Sequence, residues 1–445
     1  MSSKITFWIV AILIANFVIP WSHLGFYPSK AQELVIWSIF GFLFFLNLVS
    51  KFKFKFDIHG KTYFYFILTS GFYVIYALLD GKNNANMGEI AHMYIYAVGI
   101  FMVYLLVYSL PLVNSKELHR LVQFIGIIHV ILFVYFVTYV NFVQQDAFYA
   151  SKGFYTLENE LIQEGRLKMY IGNTNGRSWF FVFISAFLYG YSKARNSNKL
   201  IQFIYCTTPV IVSFENLCRG ALLISLILFG VAIILQIKSI MTKAHKNIGF
   251  LLLGVVLIFT LPIILNNTFI MNAILTANDS LALKNDDSLI SKDNLRYVLI
   301  KDSISVISDS LFMGAGYHST VGRKKEFFKD AHYALAVGNP QNTILSIFIE
   351  VGIIGLFFWL LFWIKYYKKI ITINKLKNDV YSPFLTGIKY SLIVFFCWWG
   401  FGHFLDKSLT ITGFIMVCVC LGSKIMKEYE KQSYWEQKSI STISN

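Results

Sequence analysis

The chain has 445 residues, 39 of them Lys or Arg and 24 Asp or Glu, so it carries a net charge of +15. Charged residues nevertheless make up only 14% of it, against about 25% in ordinary soluble domains, and 56% is hydrophobic. That balance excludes a soluble globular protein. It predicts an all-α, polytopic integral membrane protein that forms one unit over residues 1–445, with the bilayer replacing most of the core.

Twelve apolar runs are predicted to span the membrane. In chain order they are Ile5 to Trp21, Leu34 to Val49, Tyr63 to Leu79, Met93 to Leu112, Leu121 to Val143, Gly172 to Tyr191, Leu200 to Phe214, Ala221 to Ile237, Gly249 to Leu265, Thr343 to Trp363, Phe384 to Phe404 and Leu409 to Leu421. Lys4 ahead of the first run resembles the start of a signal peptide, but no small-x-small cleavage site follows, so an uncleaved span is expected. The five cysteines, Cys206, Cys218, Cys397, Cys418 and Cys420, lie in or beside apolar runs without metal-site spacing and read as free thiols.

Sorting charge onto the two sides gives the orientation. Segments on the amino-terminal side hold 23 basic residues against six acidic ones, Asp57, Glu117, Asp379, Glu428, Glu430 and Glu436. The positive-inside rule then puts both termini in the cytoplasm. The net charge is a topology signal, and no nucleic-acid partner is expected.

The dominant interruption is residues 266–341, mostly polar and balanced at eight basic and eight acidic residues, which the sorting leaves outside the membrane. Within it, Asn294 to Leu311 reads as an amphipathic helix. Tyr297, Ile300, Ile304, Ile307 and Leu311 fall within roughly 80° of one another, and Lys301, Asp302, Ser305 and Asp309 point away. Arg296 stands at the edge of that stripe, at the level of lipid phosphates. A shorter outer loop, Gln144 to Ile171, reads as a solvated surface or a partial cover over a substrate cleft.

Four places carry chemistry. Arg219, in Glu215-Asn216-Leu217-Cys218-Arg219-Gly220, opens an apolar run. An arginine there costs a few kcal/mol to bury, so it either snorkels to the interface, pairs with Glu215, or grips a lipid pyrophosphate with its planar fork. Arg177, in Asn173-Thr174-Asn175-Gly176-Arg177, opens the sixth run at the same level, with Asn175 as a substrate contact or a helix cap. Gly314-Ala315-Gly316-Tyr317 reads as a glycine turn. Asn339-Pro340-Gln341-Asn342 leads into a run that buries Glu350, and Gly352 and Gly355 there suit close helix contact. A carboxylate inside a membrane is a functional candidate by default, with hydrogen bonding to a neighbouring helix as the alternative.

In this order the four places resemble the O-antigen polymerase and ligase family of bacterial membrane glycosyltransferases. Cys218-Arg219-Gly220-Ala221-Leu222-Leu223 is similar to its Ser/Thr-Arg-Gly/Ala element. Arg296 through Gly316 is similar to its arginine, amphipathic helix and Gly-x-Gly turn. Gln341-Asn342 through Gly355 is similar to its His-Asn, apolar run, Glu and Gly-x-x-Gly element. The resemblance covers Gly172 to Phe404 and departs from the family at Gln341, where ligases carry a histidine proposed as catalytic.

The resemblance implies metal-independent, cofactor-free inverting transfer on the outer face of the bacterial cytoplasmic membrane. A polyprenyl-diphosphate-linked glycan serves as donor and another as acceptor, within membrane lipid and with a chain-length regulator as a partner. Arg219, Arg296 and Arg177 would bind the diphosphate, and Asn342 and Asn175 the substrate. Gln341, His332, Glu350 and Asp406 are the catalytic candidates, glutamine being unable to accept a proton. Its presence favours a repeat-unit polymerase for O-antigen or capsule over a ligase. A polyprenyl-linked glycan flippase is the alternative from another class, although no half-repeat is visible.

Single cysteines introduced at Ser288 and Lys325 should react with an impermeant thiol reagent in spheroplasts, and one at Asn196 should not. Labelling at Asn196 alone would reverse the orientation.

Overall fold

A computed structural model describes residues 3–18, 28–49, 53–55, 57–80, 87–138, 174–215, 219–243, 292–327, 342–374, 381–399 and 409–443. Every regular element among them is a helix. These are α1 (Ser3–Val18), α2 (Pro28–Val49), α3 (Ile58–Leu79), α4 (Met87–Ser109), α5 (Ser115–Thr138), α6 (Thr174–Ala194), α7 (Lys199–Glu215), α8 (Arg219–Lys243), α9 (Lys292–Asp309), α10 (Ser319–Gly322), α11 (Lys324–Phe327), α12 (Thr343–Asn374), α13 (Ser382–Trp399) and α14 (Leu409–Ile443). The described parts of eleven of the twelve expected runs fall mostly on these helices, and the ninth, Gly249 to Leu265, lies outside the described residues.

Among the described residues, three helical stretches are long and apolar enough to cross a membrane: Ile58–Leu79, Ser115–Tyr135 and Thr343–Ile373. Shorter apolar stretches lie on α1, α2, α4, α7 and α8. Helices suit such a chain because each satisfies its own backbone hydrogen bonds where no water can. Large apolar side chains face outward on several of them, including Phe42 and Phe45 on α2, Phe72 and Ile75 on α3, and Ile127 and Ile131 on α5. Inside, aromatic rings fill the space: Trp359 and Trp363 of α12 pack on Trp399 and Phe395 of α13, with centroids 4.3 and 4.5 Å apart for Trp359–Trp399 and Trp363–Phe395. Four of the cysteines, Cys206, Cys397, Cys418 and Cys420, are free thiols, and Cys218 lies outside the described residues.

The segments that charge sorting assigned to one side meet at one end of the bundle. Tyr104 Oη donates to Asp57 Oδ1 at 2.7 Å, and the Lys55 N–H donates to Ser109 Oγ at 2.8 Å. Lys424 Nζ donates to the carbonyls of Val107, at 3.2 Å, and of Leu110. A cation there also complements the negative end of α4. Lys193 Nζ donates to Tyr390 Oη at 3.4 Å, and Lys369 pairs with Glu430 at 3.0 Å. At the opposite end Asp80, just past α3, pairs with Arg323 at 3.2 Å, and Tyr317 Oη donates to the Met93 carbonyl at 3.3 Å.

Glycines on both helices let α6 and α13 approach closely. A Cβ on Gly190 would lie 3.0 Å from the Thr386 carbonyl oxygen, and one on Gly387 would lie 2.8 Å from that of Phe187. Small residues let helix backbones touch in this way, so van der Waals contact holds the pair where the hydrophobic effect is weak. Gly387→Val should therefore overpack this seam at a cost of about 1–3 kcal/mol. The measurement is the midpoint of thermal inactivation in detergent; an unchanged midpoint would mean that the helices are not in contact there.

Candidate functional site

The candidate site is organised around a break in α12. Gly352 adopts φ 63° and ψ −170°, outside the helical range. In an unbroken helix the Ile353 N–H would bond the Ile349 carbonyl. Here the Ile353 N–H donates to the Phe312 carbonyl at 3.0 Å, and the Ile349 carbonyl accepts the Ala315 N–H at 2.6 Å. The loop after α9 thus slots into the hydrogen-bond ladder of α12 and gives both of these groups a partner.

Glycine makes the fit possible. Gly314 and Gly316 take φ of 88° and 103°, and a Cβ on Gly314 would lie 2.6 Å from the Gly352 nitrogen. A Cβ on Gly352 would meet the Met313 carbonyl oxygen. The glycine turn read from the sequence is present, and the close contact expected at Gly352 is made to a loop, not to another helix. Leu311, Phe312 and His318 also take positive φ, of 50°, 62° and 62°. This conformation costs residues with a Cβ about 1–2 kcal/mol each, so the surroundings must over-determine it.

They do so from α3 and α12. The Tyr73 hydroxyl of α3 donates to the Met313 carbonyl, while the Tyr73 carbonyl accepts the Tyr317 N–H at 3.1 Å. Thr320 of α10 donates to Glu350 Oε1 of α12. Arg323 donates to Asp80 Oδ2 at 3.2 Å and to both carboxylate oxygens of Glu326, at 2.9 and 2.6 Å, and its guanidinium lies 4.8 Å from the Phe327 ring centroid. Hydrogen bonding to Glu326 pushes its pKa above the ordinary guanidinium value, against the opposing effect of partial burial.

The amphipathic helix is present as α9, with Ile307 buried and Lys301, Ser305 and Asp309 exposed as expected, but the side that packs on protein is centred beyond the expected stripe. Leu299, Val306 and Ile307 are buried with Ala315, Phe327 and Ile349 in a small apolar cluster of their own. Asp302, expected outward, is 8% exposed, and Ser303 turns its hydroxyl onto the Leu299 carbonyl at 2.5 Å. Ile300, Ile304 and Leu311, expected to be covered, are exposed, Ile304 by 57%. The reason is that α9 carries two apolar stripes, and the one that packs on protein is the one that meets Ile349. The uncovered stripe runs on through Phe312 and Met313 to the exposed Ile353, Ile354 and Phe357 of α12.

The sequence-predicted residues fall at several places. Glu350 is 2% exposed and bonded to Thr320. Asn342 begins α12 as its N-cap, with Oδ1 accepting the Leu345 N–H at 3.1 Å. Arg177 and Asn175 lie in the first turn of α6, Arg219 is the first residue of α8, and Arg296 lies early in α9, one turn before Leu299 and Ile300. The side chains of these four, and Gln341, His332 and Asp406 altogether, lie outside the described residues. Helices α6 and α8 both pack on α7, which runs between them, so Arg177 and Arg219 stand at the same end of neighbouring helices. Sequence reasoning missed Tyr73, Asp80, Thr320 and Arg323. Only the Arg323–Glu326 spacing gave a local signal; the other contacts cross between distant segments.

No curated protein matches the chain. Residues 204–360 match a protein-family model described as O-antigen ligase, covering about a third of the chain. The match runs from α7 through the first half of α12, and so includes Arg219, Arg296, the docked loop, Asn342 and Glu350, but neither Arg177 nor Asp406. Over these residues the chain is thus similar to the O-antigen ligase family (Wzy_C), consistent with the O-antigen polymerase and ligase family that its motifs resemble.

Proposed function

We propose that the protein is a glycosyltransferase that polymerises polyprenyl-diphosphate-linked repeat units into O-antigen or capsular polysaccharide at the outer face of the bacterial cytoplasmic membrane. The family match over 204–360 supports this reading most, because it takes in two of the three arginines and the broken helix as one block. Both termini are cytoplasmic in this reading, and the 266–341 segment is extracytoplasmic.

An acceptor sugar hydroxyl attacks the anomeric carbon of the donor. A new C–O bond forms with inversion, and the bond from that carbon to the diphosphate oxygen breaks with its electron pair. Charge grows on the diphosphate as it leaves, and Arg219, Arg296 and Arg177 stabilise it without a metal. The amino-terminal ends of α6 and α8 add backbone dipoles of the same sign. Gln341 orients the acceptor hydroxyl, with Asn342 and Asn175 as further contacts, and His332 or Asp406 takes its proton. The family description favours a second reading, ligation of finished polymer to a final acceptor; Gln341 in place of a histidine favours polymerisation. A chain-length regulator is the protein partner that a polymerase of this kind would use.

Arg219→Ala and Arg296→Ala should each lower transfer on the order of a hundredfold or more with the protein still inserted. Arg→Lys should rescue little, since an ammonium cannot form the bidentate fork. Normal polymer from both alanine variants at matched expression would misplace the site.

A deletion strain distinguishes the readings. Loss of a polymerase leaves single repeat units outside the membrane and no long chains, and Gln341→Ala then reduces activity only in part. Long lipid-linked chains accumulating in the deletion strain would instead identify a ligase. Single units held on the cytoplasmic side would identify a flippase.

A further inference from the structure

Thr320 and Glu350 form a buried pair that glycosyl transfer itself does not require. Thr320 is fully buried and Glu350 is 2% exposed, and the hydroxyl donates to Oε1 across thirty residues of chain. The pair sits beside the break in α12. Glu350 follows Ile349, whose carbonyl takes the Ala315 N–H, and precedes Gly352 by two positions. Thr320 lies on α10, directly after the loop that makes the insertion.

We propose that Glu350 is a positioning residue. Through Thr320 it clamps the inserted loop, and with it the arginine-bearing α9, onto α12, and it does not take the acceptor's proton. A general base must come within about 2.6–3.2 Å of the hydroxyl it deprotonates. Glu350 turns an oxygen to a threonine of its own chain and has almost no open surface. The clamp also has a clear physical task. The loop holds three non-glycine residues at positive φ, and the Tyr73 hydroxyl and the Arg323–Asp80 pair tie it to α3 and its end but not to α12. A side-chain bond one residue from the ladder insertion ties the strained segment at its far end. The inference rests on the glycosyl-transfer reading only for the activity measured below.

The test uses the full-length protein in native membranes, with its five cysteines replaced by alanine and Val306→Cys introduced. Val306 is buried beneath α9 in the cluster with Ile349 and Phe327, so thiol labelling reports whether α9 is seated. Thr320→Ser and Glu350→Gln keep a donor and an acceptor, and should leave the thiol protected. Thr320→Val and Glu350→Ala should each speed labelling about tenfold, and together no further, because each breaks the same contact. In transfer assays with lipid-linked repeat units, Glu350→Gln should lose less than about threefold, while Thr320→Val and Glu350→Ala fall together by about tenfold or more. A protected thiol in Thr320→Val overturns the clamp. Glu350→Gln that is protected yet as inactive as Glu350→Ala overturns it too, by making the carboxylate the base. If labelling follows the expected pattern while the unsubstituted protein transfers no glycan, the clamp stands and the glycosyl-transfer reading fails.

Discussion

A backbone exchange at Gly352 holds the candidate site together. Where the helix is interrupted, one carbonyl and one amide lose each other and both find partners in the loop that follows α9, Ala315 and Phe312. In apolar surroundings neither group could be left open, because an unpaired backbone group costs several kcal/mol there. The break and the insertion are therefore one feature: α12 can bend at this point only if the loop is present, and the loop can hold its positive-φ residues only if α12 offers the gap. Tyr73, Thr320 and the Arg323–Asp80 pair brace the same junction from α3 and α12, so the loop bearing α9 is fixed to elements far apart in sequence.

The rest of the bundle supplies a rigid seat for that junction. Below the break, the rings of Trp359, Phe362, Trp363 and Tyr366 are buried against α3, α4, α13 and α14. Such rings carry large contact area and few rotatable bonds. The glycine seam between α6 and α13 brings the helix that carries Arg177 in its first turn against the same group. The arginine-bearing ends of α6 and α8 are thus set on packed helices, and a charge-stabilising site gains most from being held in place before the charge develops.

Much of the helical layout was legible because runs of apolar residues bounded by lysines leave few other readings. Glu350 was legible as a carboxylate inside an apolar run, and the Gly314–Gly316 turn from its composition. The face of α9 was not. Ile300, Ile304 and Ile307 form as good a stripe as Leu299, Val306 and Ile307, and only the three-dimensional position of Ile349 decides between them. The meaning of Gly352 was equally hidden, since a glycine that admits a neighbouring helix and one that admits a loop look alike in sequence. The contacts of Tyr73 with Met313 and of Thr320 with Glu350 join distant segments, where no periodicity reaches. The arginine side chains, which the motifs singled out, lie outside the described residues, and their roles rest on the family match and on backbone position.

The uncovered stripe of α9 gives the molecule a hydrophobic belt of unequal height. Away from α9, the exposed large apolar side chains among the described residues belong to the apolar helices themselves. Beside α12 the belt continues from Ile353, Ile354 and Phe357 through Phe312 and Met313 to Ile304 and Ile300. A bilayer of uniform thickness cannot match both margins at once. Thickening locally or tilting the bundle costs fractions of a kcal/mol per Å, which is small beside the water-exposed apolar area it removes. Where the apolar helices and this stripe meet the same bilayer, lipid length becomes a variable that bears on the seating of α9 from outside the chain.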